Sequence, residues 1–315
     1  MSGFDVLCVG SVTLDSIALV ERKPDDDERV EASLIVESGG GPAATAAVAL
    51  ARLGARVAFC GTVGEDPDGE RSRGLLESEG VDTRWLRVQS GVRTARSLIS
   101  VTASTGTRSI TTVPGAPPLL ENVPLGEFGW IHTDQTGFGP VRAALCSIES
   151  GQPKGSSAKV SLDAGNRIAG LDVGIVDLYV PTAGRIVEDF PADSLADSMA
   201  AAEAAGAGRV VATAGGSGAY LHNEGGSELI PGMSVPIVST MGAGDVFHGA
   251  LLARILEDRP LREAVVFANA VAALSCRALD GRSGIPSREE AERFMNSYLA
   301  DRTGRREENL ERETT

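Results

Sequence analysis

The sequence predicts an α/β protein: a doubly wound, mostly parallel sheet with helices on both faces, carrying a small antiparallel β lid. Three observations lead there. From residue 128 onward, short apolar runs alternate with helical patterns, the signature of right-handed strand–helix–strand crossovers. Two segments, about 12–36 and 93–114, instead alternate apolar and polar residues, the period of strands with one wet face, which a doubly covered sheet does not offer. Apolar runs also end repeatedly in glycine turns that open helices, as at Gly39–Gly41 and Gly242–Gly244.

The elements follow in order. Val6–Val9, ending at Gly10, reads as a buried strand. Ile17–Val20, Arg29–Val36, Ser97–Ala103 and Ser109–Val113 read as half-wet lid strands inserted into the core. Pro42–Leu53 is an Ala-rich helix with proline in its first turn, Val57–Val63 a buried strand, and Gly69–Glu79 an amphipathic helix. Trp130–Thr133 precedes a helix near Pro140–Glu149, and Lys159–Leu162 leads to Asp163. Val176–Val180 is a short strand, Ser194–Ala205 a helix, and Arg209–Thr213 a strand closed by Gly215 and Gly216. Leu229–Val238 is expected to hold short strands, then helices cover Val246–Leu256 and Leu261–Leu279. Residues 1–300 thus form one core with its lid, and 301–315 form a charged, frayed tail.

Composition narrows the function. With 315 residues, 42% hydrophobic and 23% charged, the chain can bury a large core. A net charge of −14 disfavours a nucleic-acid binder, which needs a basic face. Cys8, Cys60, Cys146 and Cys276 are scattered without Cys-x-x-Cys spacing, as are His132, His222 and His248, which argues against a His/Cys metal site and fits a reducing compartment. The first residues carry no basic region ahead of an apolar run, and no apolar stretch nears the roughly 20 residues of a membrane span. The expectation is a soluble, cytoplasmic protein with no nucleic-acid or membrane partner.

The most informative string is Ser239-Thr-Met-Gly-Ala-Gly-Asp-Val-Phe-His-Gly249. Gly242, Ala243 and Gly244 fall where a loop becomes a helix N-terminus, whose unpaired N–H groups and dipole suit a phosphate or a developing anion. Asp245 stands in the first turn, beside that cradle, where a carboxylate can take the proton of a hydroxyl attacking phosphorus. A bare Gly-x-Gly-Asp is more often a glycine-permitted turn capped by its aspartate, and it is the longer string with its companions that shifts the balance. Other strings accompany it. Gly39-Gly-Gly-Pro-Ala-Ala-Thr-Ala-Ala47 opens a helix that either approaches a ligand or only joins lid to core, and Asp15 follows the first strand, where ligands of parallel sheets gather. Thr213-Ala-Gly-Gly-Ser-Gly218 can approach a nucleotide. Asp163-Ala-Gly-Asn-Arg167 brings Arg167, either a phosphate clamp or a surface ion pair. His248 reads as a polar helix residue without a catalytic role. There is no Gly-x-x-x-x-Gly-Lys-Ser/Thr and no Gly-x-Gly-x-x-Gly after the first strand, so a P-loop kinase and a dinucleotide oxidoreductase are set aside.

In this order the strings resemble the PfkB/ribokinase family of carbohydrate kinases over about residues 4–297, with the glycine loop 39–47, Gly64-Glu-Asp-Pro-Asp-Gly69 and Gly242-Ala-Gly-Asp245 as the matching motifs. The resemblance implies a ribokinase-like fold, ATP and Mg²⁺, a small-molecule sugar substrate and a homodimer formed through the lid. It makes Asp245 the base, Gly242, Ala243 and Gly244 its anion hole, and Asp15, Gly40, Gly41 and Thr45 sugar contacts. Thr213, Gly215 and Gly218 fall on the phosphate side of the nucleotide; Asn269, Ala272, Cys276 and Gly281 border the adenine, although a packed core helix explains the first three as well. Three positions depart from the pattern: Thr45 stands where Asn is usual, Ser239 where Asp usually precedes the motif, and Thr182-Ala-Gly-Arg185 where a metal-handling Asn-x-x-Glu is usual. Mg²⁺ is then expected to be held by ATP, water and other residues, and no metal ligand is assigned. Gly281-Arg-Ser-Gly-Ile-Pro286, with the two glycine motifs, looks most like bacterial 6-deoxy-6-sulfofructose kinases, which places Arg29, Thr112 and Thr136 at the sulfonate. One Arg with two hydroxyls holds an anion less firmly than two cations, so sulfofructose is a candidate only, and a neutral ketose or another sugar with a small acidic group stays open. The competing readings are a nucleoside kinase of the same fold, for which residues 12–36 lack a stacking aromatic, and a non-catalytic sugar- or nucleotide-sensing relative.

Overall fold

The computed structural model describes residues 3–149, 158–223 and 226–313. In chain order the elements are β1 (Val6–Val9), β2 (Thr13–Val20), β3 (Ala32–Gly40), α1 (Pro42–Arg52), β4 (Val57–Gly64), α2 (Pro67–Glu77), β5 (Asp82–Gln89), β6 (Ala95–Thr102) and β7 (Arg108–Val113). Then come β8 (Trp130–Thr133), α3 (Phe138–Glu149), β9 (Lys159–Ala164), β10 (Leu178–Pro181), α4 (Ala183–Asp189), α5 (Leu195–Ala204), β11 (Arg209–Thr213), β12 (Gly218–Asn223), β13 (Gly226–Pro231), α6 (Ala243–Leu256), α7 (Leu261–Ser275) and α8 (Arg288–Glu313).

Nine strands form the main sheet in the order β13-β12-β11-β10-β9-β8-β1-β4-β5. It is parallel from β11 to β5 and antiparallel only in the β11–β12–β13 edge. β1 shows why both faces must be covered. Its four residues are fully buried, with Val6 and Cys8 packing into one apolar cluster and Leu7 and Val9 into another. A strand buried on both sides reads as an unbroken apolar run. The first cluster is filled by α1, α6, α7 and α8; α3, α4 and α5 cover the far part of the sheet through Phe138, Ile186 and Met199. Every buried position of α1 except Thr45 is Ala, Val or Leu, which fits an Ala-rich helix packed tightly against α6.

The second sheet has four strands in the order β3-β2-β6-β7. Two of its ladders are antiparallel, and the central one, β2–β6, is parallel. Its inner face carries Asp15, Ser97 and Thr112 in one lateral row and Ile17 and Ile99 in the next, while Leu98 and Ile35 point to the outer face at 64% and 69% exposure.

Two expectations are corrected at the C-terminal half. β12 and β13 occupy Gly218–Pro231, and the segment from Gly232 to Gly242 holds no strand, so the run Leu229–Val238 is mostly loop. Val238 and Ser239 donate their N–H groups to the Cys276 carbonyl (2.8 and 3.2 Å) instead of to a ladder. The charged tail continues α8 through Glu313. Arg and Glu are strong helix formers, and no proline follows Pro286 to stop the helix. No helix among the described residues is long and apolar enough to cross a membrane.

Candidate active site

The inner face of the four-stranded sheet closes over the C-terminal ends of the parallel strands and encloses a cavity of about 560 Å³, a size suited to one small molecule. Its floor is the start of α6. Gly242 precedes that helix at φ 70, in the left-handed region, and a Cβ there would lie 2.9 Å from the Gly281 Cα, so only glycine fits both the angle and the space. Gly244 faces open space. Asp245 is half-buried beside it in the first turn. Burial, and then the nearby Asp163 carboxylate, push the Asp245 carboxyl up to about 7, against the opposing pull of His248. A carboxylate tuned there is poised for proton transfer near neutral pH.

Behind Asp245 lies a buried polar layer. His248, one turn further along α6, places Nε2 3.2 Å from Oδ1 of Asp163 at the end of β9, with both side chains under a tenth exposed. His248 is therefore a paired, buried residue of the site and not a free polar helix residue. Burial works to raise the Asp163 carboxyl, but the charge and hydrogen bond of His248 hold it below the ordinary value. His132 on β8 packs 5.8 Å from the His248 ring and pairs its Nδ1 with Ser161 Oγ at 3.2 Å; burial brings its pKa down to about 3, so it is neutral.

The opposite wall is built around Asp15. It accepts the Thr13 hydroxyl proton at 2.8 Å and lies against Gly40, where a Cβ would come 1.9 Å from Oδ2. Gly41 caps α1, and Thr45 inside that helix also faces the cavity. Two residues absent from the sequence-based site hold this wall in place. Asp134, fully buried after β8, accepts from Ser11 N and Oγ (2.8 and 2.9 Å), Ala43 N (3.3 Å), Thr136 N (2.8 Å) and Gly137 N (3.0 Å), joining β1, α1 and the start of α3. Arg282, 5% exposed, donates to the Gly40 carbonyl at 2.8 Å and to Thr45 Oγ1 at 3.3 Å; burial lowers its pKa to about 10, which leaves it charged at neutral pH. The position of Asp134 at a strand's C-terminal end was a usable sequence signal. For Arg282 the signal was only its place in the Gly281–Pro286 string, and its role was hidden because its partners lie more than 200 residues away in sequence.

The cavity brings together Asp15, Gly40, Gly41, Thr45, Thr112, Thr136, Gly242, Gly244, Asp245 and Gly281, with Ser11, Ser97, Gln135 and Asn166 as further polar lining. Ala243 sits beside them as the first residue of α6. Arg29 is not among them: it is exposed in the β2–β3 connection, and of that trio only Thr112 and Thr136 line the cavity. Arg167 is exposed just past the lining residue Asn166 and is not itself in the lining. Thr213, Gly215 and Gly218 form the turn between β11 and β12, next to the end of β13 and to α7, and lie outside the cavity lining. On α7, Asn269 turns its amide onto the Ile230 and Pro231 carbonyls (3.1 and 3.2 Å), a packing role; Ala272 and Cys276 follow it. Where Asn-x-x-Glu is usual, Thr182 caps α4 and Arg185 pairs with Asp189 at 2.8 Å. No group of three or more His, Cys, Asp or Glu side chains suited to a metal occurs among the described residues.

Residues 4–123 and 176–288 match the pfkB family carbohydrate kinases. The chain belongs to the pfkB family. Similar relatives include a ribokinase of Haemophilus influenzae, 28% identical over 91% of this chain and 97% of that protein. An ATP-dependent ribose-1-phosphate kinase of Halopiger xanaduensis is 30% identical over 94% and 98%, and a fructokinase of Vibrio alginolyticus is 28% identical over 88% and 96%. Among solved structures, a ribokinase from Thermotoga maritima superposes with a TM-score of 0.77 at 25% identity, covering 93% of this chain and 99% of its own. Ribokinase from Giardia lamblia gives 0.82 at 20% identity over 93% and 99%, a likeness of fold. A pfkB kinase has the ribokinase fold, and in this chain the Gly242–Asp245 turn lies at the cavity floor.

Proposed function

We propose that the chain transfers the γ-phosphoryl group of ATP to a hydroxyl of a neutral sugar, a ketose or a pentose. The observation that carries this is the polarity of the cavity: a carboxylate beside a bare helix N-terminus at one end, and a buried carboxylate among hydroxyl side chains at the other. Asp15, with Ser97, Thr112 and Thr136, suits the donors and acceptors of a polyhydroxylated ligand. Apart from Arg108, close to the catalytic turn, no Arg or Lys occurs among the described lining residues, which disfavours a sugar carrying phosphate or sulfonate at the far end. No aromatic side chain lines the cavity among those residues, which disfavours a purine nucleoside.

In this reading the sugar hydroxyl lies against Asp245, which takes its proton, while the N–H groups of Ala243, Gly244 and Asp245 face the charge that develops on the phosphoryl oxygens. The nucleotide lies across the Thr213–Gly218 turn and α7. No cluster of the chain's described side chains would hold Mg²⁺, so the triphosphate would bring it, and it would supply charge neutralisation there. The outer face of the four-stranded sheet, with Ile35, Leu98 and Val113 exposed, is the surface through which two chains pair. A coupled ADP-release screen over ribose, fructose, ribose 1-phosphate, 6-deoxy-6-sulfofructose and nucleosides tests the reading. The highest kcat/KM is expected for a neutral sugar; a phosphorylated or sulfonated sugar more than tenfold better would overturn the substrate class. Ligand-induced stabilisation with no ADP release would favour a sensor instead.

A further inference from the structure

One cation of the cavity has no assigned role. Arg108, the first residue of β7, lines the cavity together with Gly242, Gly244 and Asp245, although it belongs to the lid and not to the core. Its Nη1 donates to Thr240 Oγ1 at 3.0 Å, two residues before the catalytic turn. No carboxylate lies within ion-pair distance of it among the described residues, in a chain of net charge −14. Its place is fixed by a docked hairpin tip. Gly106, just before β7, is buried against the 237–240 segment; its carbonyl accepts the Thr240 N–H at 3.4 Å, and a Cβ on it would lie 3.0 Å from Ile237 Cγ2. That segment is in turn held to the C-terminal end of α7 by Val238 N donating to the Cys276 carbonyl at 2.8 Å. Arg108 thus stands between the end of α7 and Asp245, and its charge acts on both Cys276 and Asp245.

We propose that Arg108 is a catalytic residue contributed by the lid, whose guanidinium contacts the oxygens of the γ-phosphoryl group during transfer. This rests on the kinase reading above. In the step, the sugar oxygen forms a bond to the γ-phosphorus as the bond from that phosphorus to the ADP oxygen breaks; the hydroxyl proton goes to Asp245, and the electron pair leaves with ADP. Negative charge on the phosphoryl oxygens and on the departing oxygen needs a donor in place at that moment. Asp15 and Asp245 line the cavity, the Asp163 and Asp134 carboxylates act on Asp245 from behind it, and Arg185, at the position of the usual glutamate, is engaged with Asp189. A cation carried on the docked hairpin answers that need only when the lid is closed. Thr240 Oγ holds the guanidinium in line until phosphate oxygens replace it.

The test compares Arg108→Ala and Arg108→Lys with the wild type in steady-state kinetics, together with calorimetric binding of ADP and of a non-hydrolysable ATP analogue. Arg108 is exposed, so both variants are expected to fold with an unchanged melting midpoint. Arg108→Ala should lower kcat by about 100-fold, as loss of one transition-state donor does, with the sugar KM within threefold; Arg108→Lys should recover part of the loss, and free guanidinium ion should rescue the alanine variant. Preference for the ATP analogue over ADP should fall about tenfold in Arg108→Ala, a result read without any sugar or turnover. An unchanged analogue-to-ADP ratio, or a loss confined to the sugar KM, would overturn the role of Arg108. If the wild type turns over no sugar while the ratio still falls, the functional reading fails and the phosphoryl contact of Arg108 stands.

Discussion

At the residue scale, Asp245 is set by its surroundings. Burial and the Asp163 carboxylate lift it to about 7, and a base must be ionised to accept a proton, so kcat/KM is expected to rise with pH to a plateau above an apparent pKa near 7. A profile flat from pH 5 to 8 would contradict this. Asp245 and Asp15 were legible in the sequence because each stands next to a glycine turn or a strand end that announces a ligand site. The pair His248–Asp163, the five-fold acceptor Asp134 and the buried Arg282 were not, because their roles come from partners brought close only by the fold. His248 illustrates the reason. It stands on a helix that the sequence locates well, yet its burial depends on β8 and β9 packing beneath it. Arg29 illustrates the converse, a charge of the right type that the connection between β2 and β3 leaves in solvent.

At the element scale, the proposed chemistry rests on the N-terminus of α6, whose geometry Gly242 sets. Gly242→Ala must place a β-carbon at φ 70, costing about 1–2 kcal/mol, and 2.9 Å from the Gly281 Cα. We expect a lower melting midpoint and a kcat reduced about 100-fold, by analogy with loss of one transition-state donor. An alanine variant with wild-type turnover would show that the turn geometry is dispensable. Elements with strong periodicity were read closely: Trp130–Thr133 and Arg209–Thr213 are β8 and β11 as expected. β12 escaped because Gly-Ala-Tyr-Leu-His-Asn is short and mixed, and its place in the sheet comes from pairing with β11 and β13. The sequence predicts a frayed tail because it is charged all round, and in the structure α8 runs on as far as Glu313.

At the scale of the whole molecule, two sheets of different character divide the work. The buried parallel sheet underlies the Gly242–Asp245 turn, and the half-wet sheet brings Asp15, Thr112 and Arg108 to the same cavity. If its outer apolar face pairs two chains, Leu98→Asp should convert a dimer to a monomer in sedimentation and weaken catalysis by loosening the lid. A wild type that sediments as a monomer would remove that proposal. The parallel pairing of β2 with β6 was not readable, since alternation marks a wet face but not strand direction. The account as a whole depends on Asp245 removing a proton during phosphoryl transfer, and the most direct measurement is the turnover of Asp245→Asn with the best sugar of the screen. We predict a kcat lower by about 10²–10⁴-fold with sugar affinity retained; turnover within threefold of the wild type would contradict it.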